Sequence, residues 1–529
     1  MMQSRLNALC ATIQAWRGKK VYAFAAFSGA LLTLGFPPFW LLPIALLALT
    51  LLIWQVQAAE SGRQAFWLGW WFGLGHFVTG VYWITIALGV DGGKFLWLVP
   101  FALLLLPAYL AIYIGLACVA LHHANKRLSP AGAVLLFAVS WVLLEYIRSW
   151  LMTGFPWNLL GYVWTLHDAT LQAASLVGVY GLSFWTLLLA GGFSLLAKSK
   201  AARGYVLPIV LVLTVGLTGW GYTRLADAPT MEQQATEDAV NVRIVQANAT
   251  QSEKWDPRLQ MQTVRRHLEL SRQASTLGKL DYIIWPETAM PFSFDEGSQW
   301  ADVLSRDAPP TGALLTGVVR YEDAAGDEWR AWNSIQALNY EGQIIGVYDK
   351  SKLVPFGEFL PLRWLLSAFG LEKVAHGIGD FTSGNGAQQL YFPQKQMRIT
   401  PLICYEAIFP IYRPKPSKPS HFILNITNDE WFGRSTGPRQ HLHMARTRAV
   451  EQGVPLVRAA NSGISAVFDA YGREQKRLGL GEVGVVDARI PVASIVPTWY
   501  SRRGEQIILT LLLLTLALAC FMRKRKPLE

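Results

Sequence analysis

The apolar residues of this chain of 529 residues are concentrated toward its two ends. Runs of Leu, Ile, Val, Phe and Trp fill the part up to about residue 222 and return at residues 507–522. The middle, from about Leu225 to Pro497, has the charge density of an ordinary soluble domain and is long enough for a core of its own. This distribution predicts a membrane protein that carries one folded, water-soluble domain.

Eight apolar stretches approach or exceed the roughly 20 residues that a membrane-spanning helix needs. They are residues 21–36, 40–56, 66–88, 95–122, 131–150, 169–197, 204–222 and 507–522. We therefore expect eight spans. Residues 1–224 would form a membrane domain of seven helices, residues 225–500 the soluble domain, and residues 501–529 a last span with a basic tail.

The basic residues indicate how these spans are oriented. They precede the first span and follow the fourth, sixth and eighth spans, at Arg5, Arg17, Lys19, Lys20, Lys126, Arg127, Lys198, Lys200, Arg203 and the tail Arg523–Lys526. With eight spans these clusters share one side, which the positive-inside rule makes cytoplasmic. Both termini are then cytoplasmic, and the soluble domain lies in the periplasm of a two-membrane bacterium. The same clustering accounts for the net charge of +11 without a nucleic-acid partner.

Two ionisable residues, Glu145 and Arg148, lie near the outer end of the fifth predicted span. Charged residues at such depth often mark a functional site. They could also pair with each other at this spacing, or hold the aromatic segment that follows, residues 155–164. The sequence leaves these alternatives open.

One thiol is expected in the soluble domain. The other three cysteines, Cys10, Cys118 and Cys520, lie in or beside predicted spans, so Cys404 has no partner for a disulfide. Structural cysteines in an oxidising compartment are normally paired, so a leftover thiol indicates reactivity. A buried, inert cysteine that packs as a small apolar group is the alternative.

The soluble part reads as alternating strands and helices, which is typical of α/β layers. The predicted strands are residues 241–248, 281–287, 313–319, 333–338, 344–350, 397–405, 421–429, 455–461 and 465–472, and the clearest helices are 257–277 and 437–452. Glu287, Lys350 and Cys404 end three of these strands. In α/β sheets, binding and catalytic residues often lie at the ends of strands. The thiol could attack a carbonyl carbon, the carboxylate could take the thiol proton, and the ammonium could stabilise the oxyanion.

Three motifs carry a family resemblance. WPE with Glu287, K-x-x-L-V-P-F-G-E with Lys350 and Glu358, and CYE with Cys404 resemble the Glu-Lys-Cys triad of the nitrilase superfamily. With eight spans, TGFPW (153–157) and KWDP (254–257), the whole chain is similar to the apolipoprotein N-acyltransferase family. The resemblance implies an α-helical membrane domain of eight spans joined to an αββα sandwich.

The resemblance also implies an activity. A fatty acyl chain passes from a phospholipid, typically phosphatidylethanolamine, to Cys404 as a thioester and then to the α-amine of a lipoprotein's N-terminal diacylglyceryl-cysteine. Glu287 is implied as the general base, Lys350 as the oxyanion stabiliser, and Tyr405 as a backbone N–H donor. Glu358 and Glu406 are expected to support this triad.

Further expectations concern substrates and partners. Trp255, Trp431 and Asn333 are candidates for binding substrate, although the two tryptophans read equally well as core aromatics. Asn461 reads as a turn residue. We expect no cofactor and no metal, because the spacing of His, Cys and acidic residues matches no metal site. We also expect a monomer, since one chain supplies the whole site.

Two other functions fit part of the pattern. A membrane-tethered nitrilase or amidase would use the same triad to hydrolyse a small amide, although one span would suffice for tethering. A transporter or receptor with a ligand-binding outer domain would not need the three residues together and would more often carry several ionisable residues within its spans.

Overall fold

The structure is a computed structural model. It describes all residues except 1, 91, 198–199, 236–238, 325–327, 370–372, 374–379, 411, 413–417, 492–496 and 524–529, so most of the predicted basic tail and Lys198 lie outside the described residues. The chain divides into two compact units. The first comprises Met1–Thr85, Trp97–Ala226 and Trp499–Glu529, and the second comprises Ile86–Leu96 and Asp227–Thr498.

Helices dominate the first unit and alternate with strands in the second. The α-helices are α1 (Met2–Ala15), α2 (Lys19–Leu32), α3 (Leu42–Gln57), α4 (Gly62–Gly80), α5 (Ile84–Ala87), α6 (Val99–Arg127), α7 (Pro130–Arg148), α8 (Asp168–Leu171), α9 (Ala174–Leu195), α10 (Lys200–Ala226), α11 (Met231–Gln234), α12 (Gln251–Trp255), α13 (Gln260–Ser271), α14 (Gln299–Ser305), α15 (Arg363–Leu366), α16 (Gly437–Gln452), α17 (Trp499–Arg503) and α18 (Gln506–Phe521). The strands are β1 (Val240–Gln246), β2 (Tyr282–Ile284), β3 (Ala313–Ala324), β4 (Glu328–Leu338), β5 (Ile344–Asp349), β6 (Leu390–Phe392), β7 (Met397–Ile403), β8 (Phe422–Thr427), β9 (Leu456–Ala460), β10 (Ser465–Phe468), β11 (Glu474–Leu478) and β12 (Gly484–Ile490).

All eight apolar stretches are largely helical, but they differ in length. Among the described residues, four helices are long and apolar enough to cross a membrane: Leu96–Arg127, Pro130–Arg148, Ala174–Leu195 and Val206–Ala226. The apolar helices α3 and α18 have 16 residues each, and α2 has 14, which is short of the roughly 20 needed for a full span. The expected count of eight spans is therefore not confirmed.

Glu145 and Arg148 bind the backbone of the segment that follows α7. Arg148 donates from Nη1 to the carbonyl oxygens of Phe155 and Trp157, each at 2.8 Å. Glu145 Oε1 accepts from the N–H of Leu160 at 2.9 Å. Both side chains are buried, so these bonds satisfy polar groups that water cannot reach. Of the alternatives that the sequence left open, the structure supports the one in which these residues hold the next segment.

The strands of the second unit form two six-stranded sheets, ordered β12-β1-β2-β3-β4-β5 and β11-β10-β9-β8-β7-β6. All nine predicted strands are present, with ends that differ by a few residues. Helix α16 has its predicted bounds, whereas residues 257–277 contain the shorter helix α13. Strands β6, β11 and β12 were not predicted. β6 has only three residues and β11, with the sequence EQKRL, lacks apolar alternation.

The two sheets pack face to face with helices outside them, which gives the expected αββα order. Side chains of both sheets share one core, among them Val242, Ile284, Ile399 and Leu424. The opposite face of the first sheet packs on α13 and α14, and that of the second sheet packs on α16. The central strands are thus apolar on both faces, as expected for parallel strands covered on both sides.

Strand direction places the ends of several strands at one edge of each sheet. In the first sheet β1, β2 and β3 are parallel, and β5 runs the same way because β3–β4 and β4–β5 are both antiparallel. The residues that follow β2 and β5 therefore emerge at the same edge. In the second sheet β7, β8 and β9 are parallel, so the residues that follow them also emerge together.

Candidate active site

Two carboxylates and one ammonium form a buried cluster at these strand ends. Lys350, directly after β5, places Nζ 2.9 Å from Glu358 Oε1 and 3.4 Å from Glu287 Oε1. Asn333 of β4 donates from Nδ2 to the same two oxygens, at 2.7 Å from Glu287 and 2.9 Å from Glu358. One lysine and one amide thus hold the carboxylates together. The structure brings the predicted residues Glu287, Lys350, Glu358 and Asn333 into one network.

Backbone N–H groups fix the remaining carboxylate oxygens. Asn428, which follows β8, donates its N–H to Glu287 Oε2 at 2.8 Å. Val354 donates its N–H to Glu358 Oε2 at 2.9 Å, and the N–H of Glu358 returns to the Val354 carbonyl at 2.8 Å. The LVPFGE motif therefore folds into a turn that aims Glu358 at Lys350. Such donors offset part of the cost of burying charge.

Electrostatics keep Lys350 charged. Its burial alone would lower the pKa of the ammonium, but the charges of Glu358 and Glu287 outweigh this effect and hold the pKa above its ordinary value. The lysine is 1% exposed. A permanently charged, desolvated ammonium at this position can stabilise negative charge that develops beside it.

Cys404 lies on a tight turn directly after β7, at the start of the 3-10 helix Cys404–Ile408. Its φ is +47°, a left-handed conformation that residues with a Cβ seldom adopt and that often marks a functional site. Burial and the negative charge of Glu287 raise the pKa of the thiol well above its ordinary value, against the opposing charge of Lys350. The resting thiol is therefore protonated and needs a base before it can attack.

Glu406 links the turn after β7 to the turn after β5. Its Oε2 accepts from the N–H of Ile403 at 2.8 Å, and its Oε1 accepts from the N–H of Ser351 at 2.8 Å. The Tyr348 hydroxyl lies 2.9 Å from both oxygens. One buried carboxylate thus bridges the two sheets next to Lys350 and Cys404.

Asn333, one of the predicted substrate-binding residues, lies within this network. Trp255 is half-buried, donates to Gln251 Oε1 at 2.8 Å, and packs against the cluster that contains Phe381. Trp431 is partly exposed on the 3-10 helix Asp429–Phe432 that follows Asn428. Tyr405 is buried, with its ring edge-on to Phe409 at 5.0 Å.

The sequence did not single out Lys254, which contacts the site. The side chain is 0% exposed and donates to the Glu287 carbonyl at 3.2 Å. Burial lowers the pKa of Lys254 to about 8, although Glu430 and Glu287 oppose the shift. The KWDP motif carries only the family resemblance, and nothing in its spacing predicts that this lysine is buried.

Asn461 does more than form a turn after β9. Its side chain donates to the carbonyl of Ala249 at 2.6 Å and to Asn428 Oδ1 at 3.0 Å. Its Oδ1 accepts from the N–H of Ala249 at 3.0 Å. Asn461 therefore holds the residue whose N–H binds Glu287, a role that only the folded chain reveals.

Among the described residues, no group of three or more His, Cys, Asp or Glu side chains is arranged to hold a metal ion.

Two family models match this chain, one in its N-terminal part and one in its C-terminal part. Residues 28–192 match the family model of the apolipoprotein N-acyltransferase N-terminal domain, and residues 241–500 match that of carbon-nitrogen hydrolase. Similarity to a solved CN-hydrolase superfamily protein from Xanthomonas campestris has a TM-score of 0.37 at 18% identity, over 51% of this chain and 96% of that chain.

Curated relatives match almost the full length. Apolipoprotein N-acyltransferase of Rhodopseudomonas palustris is 38% identical over 97% of this chain and 97% of its own. The proteins of that name from Brucella melitensis and Rickettsia bellii are 37% and 36% identical, over 99% and 91% of this chain and 100% and 93% of their own. Identity at this level across both units shows that the chain belongs to the apolipoprotein N-acyltransferase family.

Proposed function

We propose that this protein moves a fatty acyl chain from a phospholipid, with phosphatidylethanolamine as the expected donor, to the α-amine of the N-terminal diacylglyceryl-cysteine of apolipoproteins. The observation that carries the proposal is the buried network of Glu287, Lys350 and Glu358 beside Cys404, in a chain of this family. The relatives are named as apolipoprotein N-acyltransferases, and we extend that type of reaction and acceptor to this chain. We further propose Glu287, Lys350 and Cys404 as the catalytic residues.

In the first half-reaction Cys404 Sγ attacks the ester carbonyl carbon of the donor. Glu287 takes the thiol proton as the C–S bond forms, and the carbonyl electron pair becomes an oxyanion. Lys350 Nζ and the Tyr405 N–H stabilise that oxyanion. The ester C–O bond then breaks, Glu287 returns the proton to the leaving oxygen, and a lysophospholipid departs.

In the second half-reaction the neutral α-amine of the acceptor attacks the thioester carbon. Glu287 takes a proton from the attacking nitrogen, the C–S bond breaks, and the Cys404 sulfur recovers a proton. The product is an amide, and the free thiol can start another cycle. A thioester suits this order because it reacts with an amine more readily than the original ester does.

The segment that follows Lys350 along the chain offers apolar surface for lipid substrates. Phe356, Leu362 and Trp364 are 53%, 61% and 76% exposed. Apolar helices also precede and follow the second unit along the chain, α10 before it and α18 after it. We propose that residues 225–500 form the periplasmic catalytic domain of a monomeric inner-membrane protein of eight spans. Residues 1–224 would form a membrane domain of seven spans, and residues 501–529 the last span and a basic cytoplasmic tail.

Intact mass spectrometry tests the proposal. The purified chain in detergent is incubated with phosphatidylethanolamine and without acceptor, and its cysteine peptides are then mapped. We expect one acyl increment on Cys404 that neutral hydroxylamine removes. The increment should vanish in Cys404→Ala and persist in Cys520→Ala, a control at an exposed cysteine. A diacylglyceryl-cysteinyl peptide should then discharge the wild-type acyl-enzyme and become N-acylated.

Other outcomes would reject the proposal. An unmodified Cys404 in folded protein would count against the acyltransferase function. Rapid release of free fatty acid, or turnover of small amides, would favour a tethered hydrolase. Acylation that survives Cys404→Ala would exclude Cys404 as the nucleophile.

A further inference from the structure

A chain of three buried polar side chains lies behind the turn that carries Cys404. It consists of His441 in α16, Asp429 in the 3-10 helix Asp429–Phe432, and Arg458 in β9. Their side chains are 0% exposed. Burying three such groups is costly unless each is paired, so the arrangement calls for an explanation.

The contacts run in sequence from the nucleophile's backbone to the sheet. His441 Nε2 lies 3.0 Å from the carbonyl oxygen of Cys404. His441 Nδ1 lies 3.0 Å from Asp429 Oδ1 and 3.2 Å from Arg458 Nη2. Arg458 Nη2 donates to Asp429 Oδ2 at 2.7 Å. A carbonyl oxygen can only accept, so Nε2 must carry a proton and donate to it. In the neutral ring Nδ1 then has no proton, so it cannot donate to Asp429 and instead accepts from Arg458 Nη2, which Asp429 holds.

That carbonyl belongs to the same peptide group as the N–H of Tyr405. The peptide group is planar and conjugated, so a hydrogen bond to its oxygen orients the whole plane and polarises the N–H at the other side. Cys404 also holds a φ of +47°, which surrounding contacts must maintain. A hydrogen-bond donor fixed at the carbonyl oxygen can both orient the peptide group and help to maintain the φ of Cys404.

We propose that His441, oriented by Arg458, which Asp429 holds in place, is a positioning residue that aligns and polarises the Cys404–Tyr405 peptide group as an oxyanion donor. This inference rests on the proposed function and names a further residue for the same site. Asp429 acts through Arg458 and His441 and does not touch the substrate.

The ionisation of these groups agrees with the geometry. Burial and the positive charge of Arg458 lower the pKa of His441 below its ordinary value, so the ring stays neutral at physiological pH. Burial would raise the pKa of Asp429, but Arg458 and His441 outweigh it and lower that pKa to about 2. His441 therefore donates from Nε2 to the Cys404 carbonyl throughout the working pH range.

The test is the rate constant of thioester formation, measured in single turnovers by intact mass at several donor concentrations. We expect His441→Leu to lower the maximal rate constant by about 10- to 100-fold, because loss of a direct oxyanion donor costs about 10²–10³ and His441 acts through one. The donor concentration at half-maximal rate should change little. His441→Gln, which keeps an N–H donor, should recover at least part of the loss.

Two controls separate positioning from a structural role. His443→Leu makes the same substitution two residues further along α16, where the side chain is only partly buried. It should leave the rate constant within about threefold of wild type. Thermal unfolding of each variant identifies losses caused by misfolding. If His441→Leu does not fold, Asp429→Asn, which keeps the size of the side chain, takes its place and should also lower the maximal rate constant.

The outcomes are distinct. Folded His441→Leu that forms the thioester at the wild-type rate would overturn the inference and leave the proposed function intact. So would a loss that appears only in the half-saturating donor concentration, or one that His441→Gln fails to relieve. Wild-type protein that forms no thioester would instead reject the proposed function itself.

Discussion

Gly317 on β3 faces the backbone that carries Glu287, and replacing it with alanine should misplace the proposed base. A Cβ atom at Gly317 would lie 2.5 Å from the Pro286 carbonyl oxygen, 2.6 Å from the Thr288 nitrogen and 2.7 Å from Glu287 Cα. Ordinary contact begins at 3.4 Å, so this backbone would have to retreat by about 0.7–0.9 Å. All three atoms are main-chain atoms, so no flexible side chain can absorb the change.

A shift of that size should reduce the rate of thioester formation strongly. A misplacement of about 1 Å can cost about 10²-fold in rate, so we expect a fall approaching that factor in Gly317→Ala. Overpacking should also cost about 1–3 kcal/mol of unfolding free energy, which thermal unfolding would register. The assay is single-turnover acylation of Cys404 by phosphatidylethanolamine, followed by intact mass.

Gly346→Ala provides a matched control in the same sheet. A Cβ atom there meets its nearest neighbour, the Cβ of Ala337, at 3.5 Å, which is an ordinary contact distance. This variant should acylate within about threefold of the wild-type rate, since nothing near Glu287 has to move. Folded Gly317→Ala that acylates at the wild-type rate would refute the reasoning that the position of Glu287 limits the reaction.

Three further predictions concern groups around the triad. Glu406→Gln replaces an anionic acceptor of several hydrogen bonds, including the one from Tyr348. It should lower the unfolding free energy by about 2–4 kcal/mol in denaturant titrations. An unchanged denaturation midpoint would contradict this prediction. Lys254 has a folded-state pKa of about 8 against an ordinary 10.5, so the folded chain binds fewer protons than the unfolded chain between these values. Wild-type stability should therefore rise relative to Lys254→Met by up to about 3 kcal/mol from pH 8 to 10.5, and a pH-independent difference in unfolding free energy would contradict the assignment. Asn333→Asp should slow thioester formation more than Asn333→Leu does, because it adds a third carboxylate beside Glu287; the reverse order of rate constants would argue against a shared charge network.

The convergence of the catalytic candidates was predictable because strand ends follow from local patterns. Glu287, Lys350 and Cys404 each follow a short run of β-branched and apolar residues bounded by turn residues, and those runs are strands β2, β5 and β7. Parallel strands bring their carboxyl ends to one edge, so the order of the motifs sufficed to expect one site. The LVPFGE turn that presents Glu358 is equally local, since its hydrogen bonds join residues four apart.

The supporting groups could not be predicted, because they depend on contacts between distant parts of the chain. His441 lies 37 residues after Cys404, on a helix whose apolar pattern gives no sign that this side chain turns inward. Asn461 reaches back 212 residues to Ala249, and the antiparallel partner of β1 is β12 at the other end of the domain. Gly317 carries no side chain, and its importance comes only from the close approach of its backbone to the main chain that carries Glu287.

Charge balance in the buried site explains why the base and the oxyanion stabiliser belong to one network. At rest Glu287, Glu358 and Lys350 carry a net charge of −1. Burial and the negative charge of Glu287 raise the pKa of the Cys404 thiol, which therefore stays protonated. In the proposed first step Glu287 becomes neutral as the thiol loses its proton, and the oxyanion gains the charge that Glu287 gave up. The net charge of the site thus stays at −1, so the step needs no new buried charge and no reorganisation of solvent. Neutralised Glu287 also attracts Lys350 less, at a separation of 3.4 Å against 2.9 Å for Glu358, so the ammonium becomes available to the oxyanion while Glu358 continues to hold it.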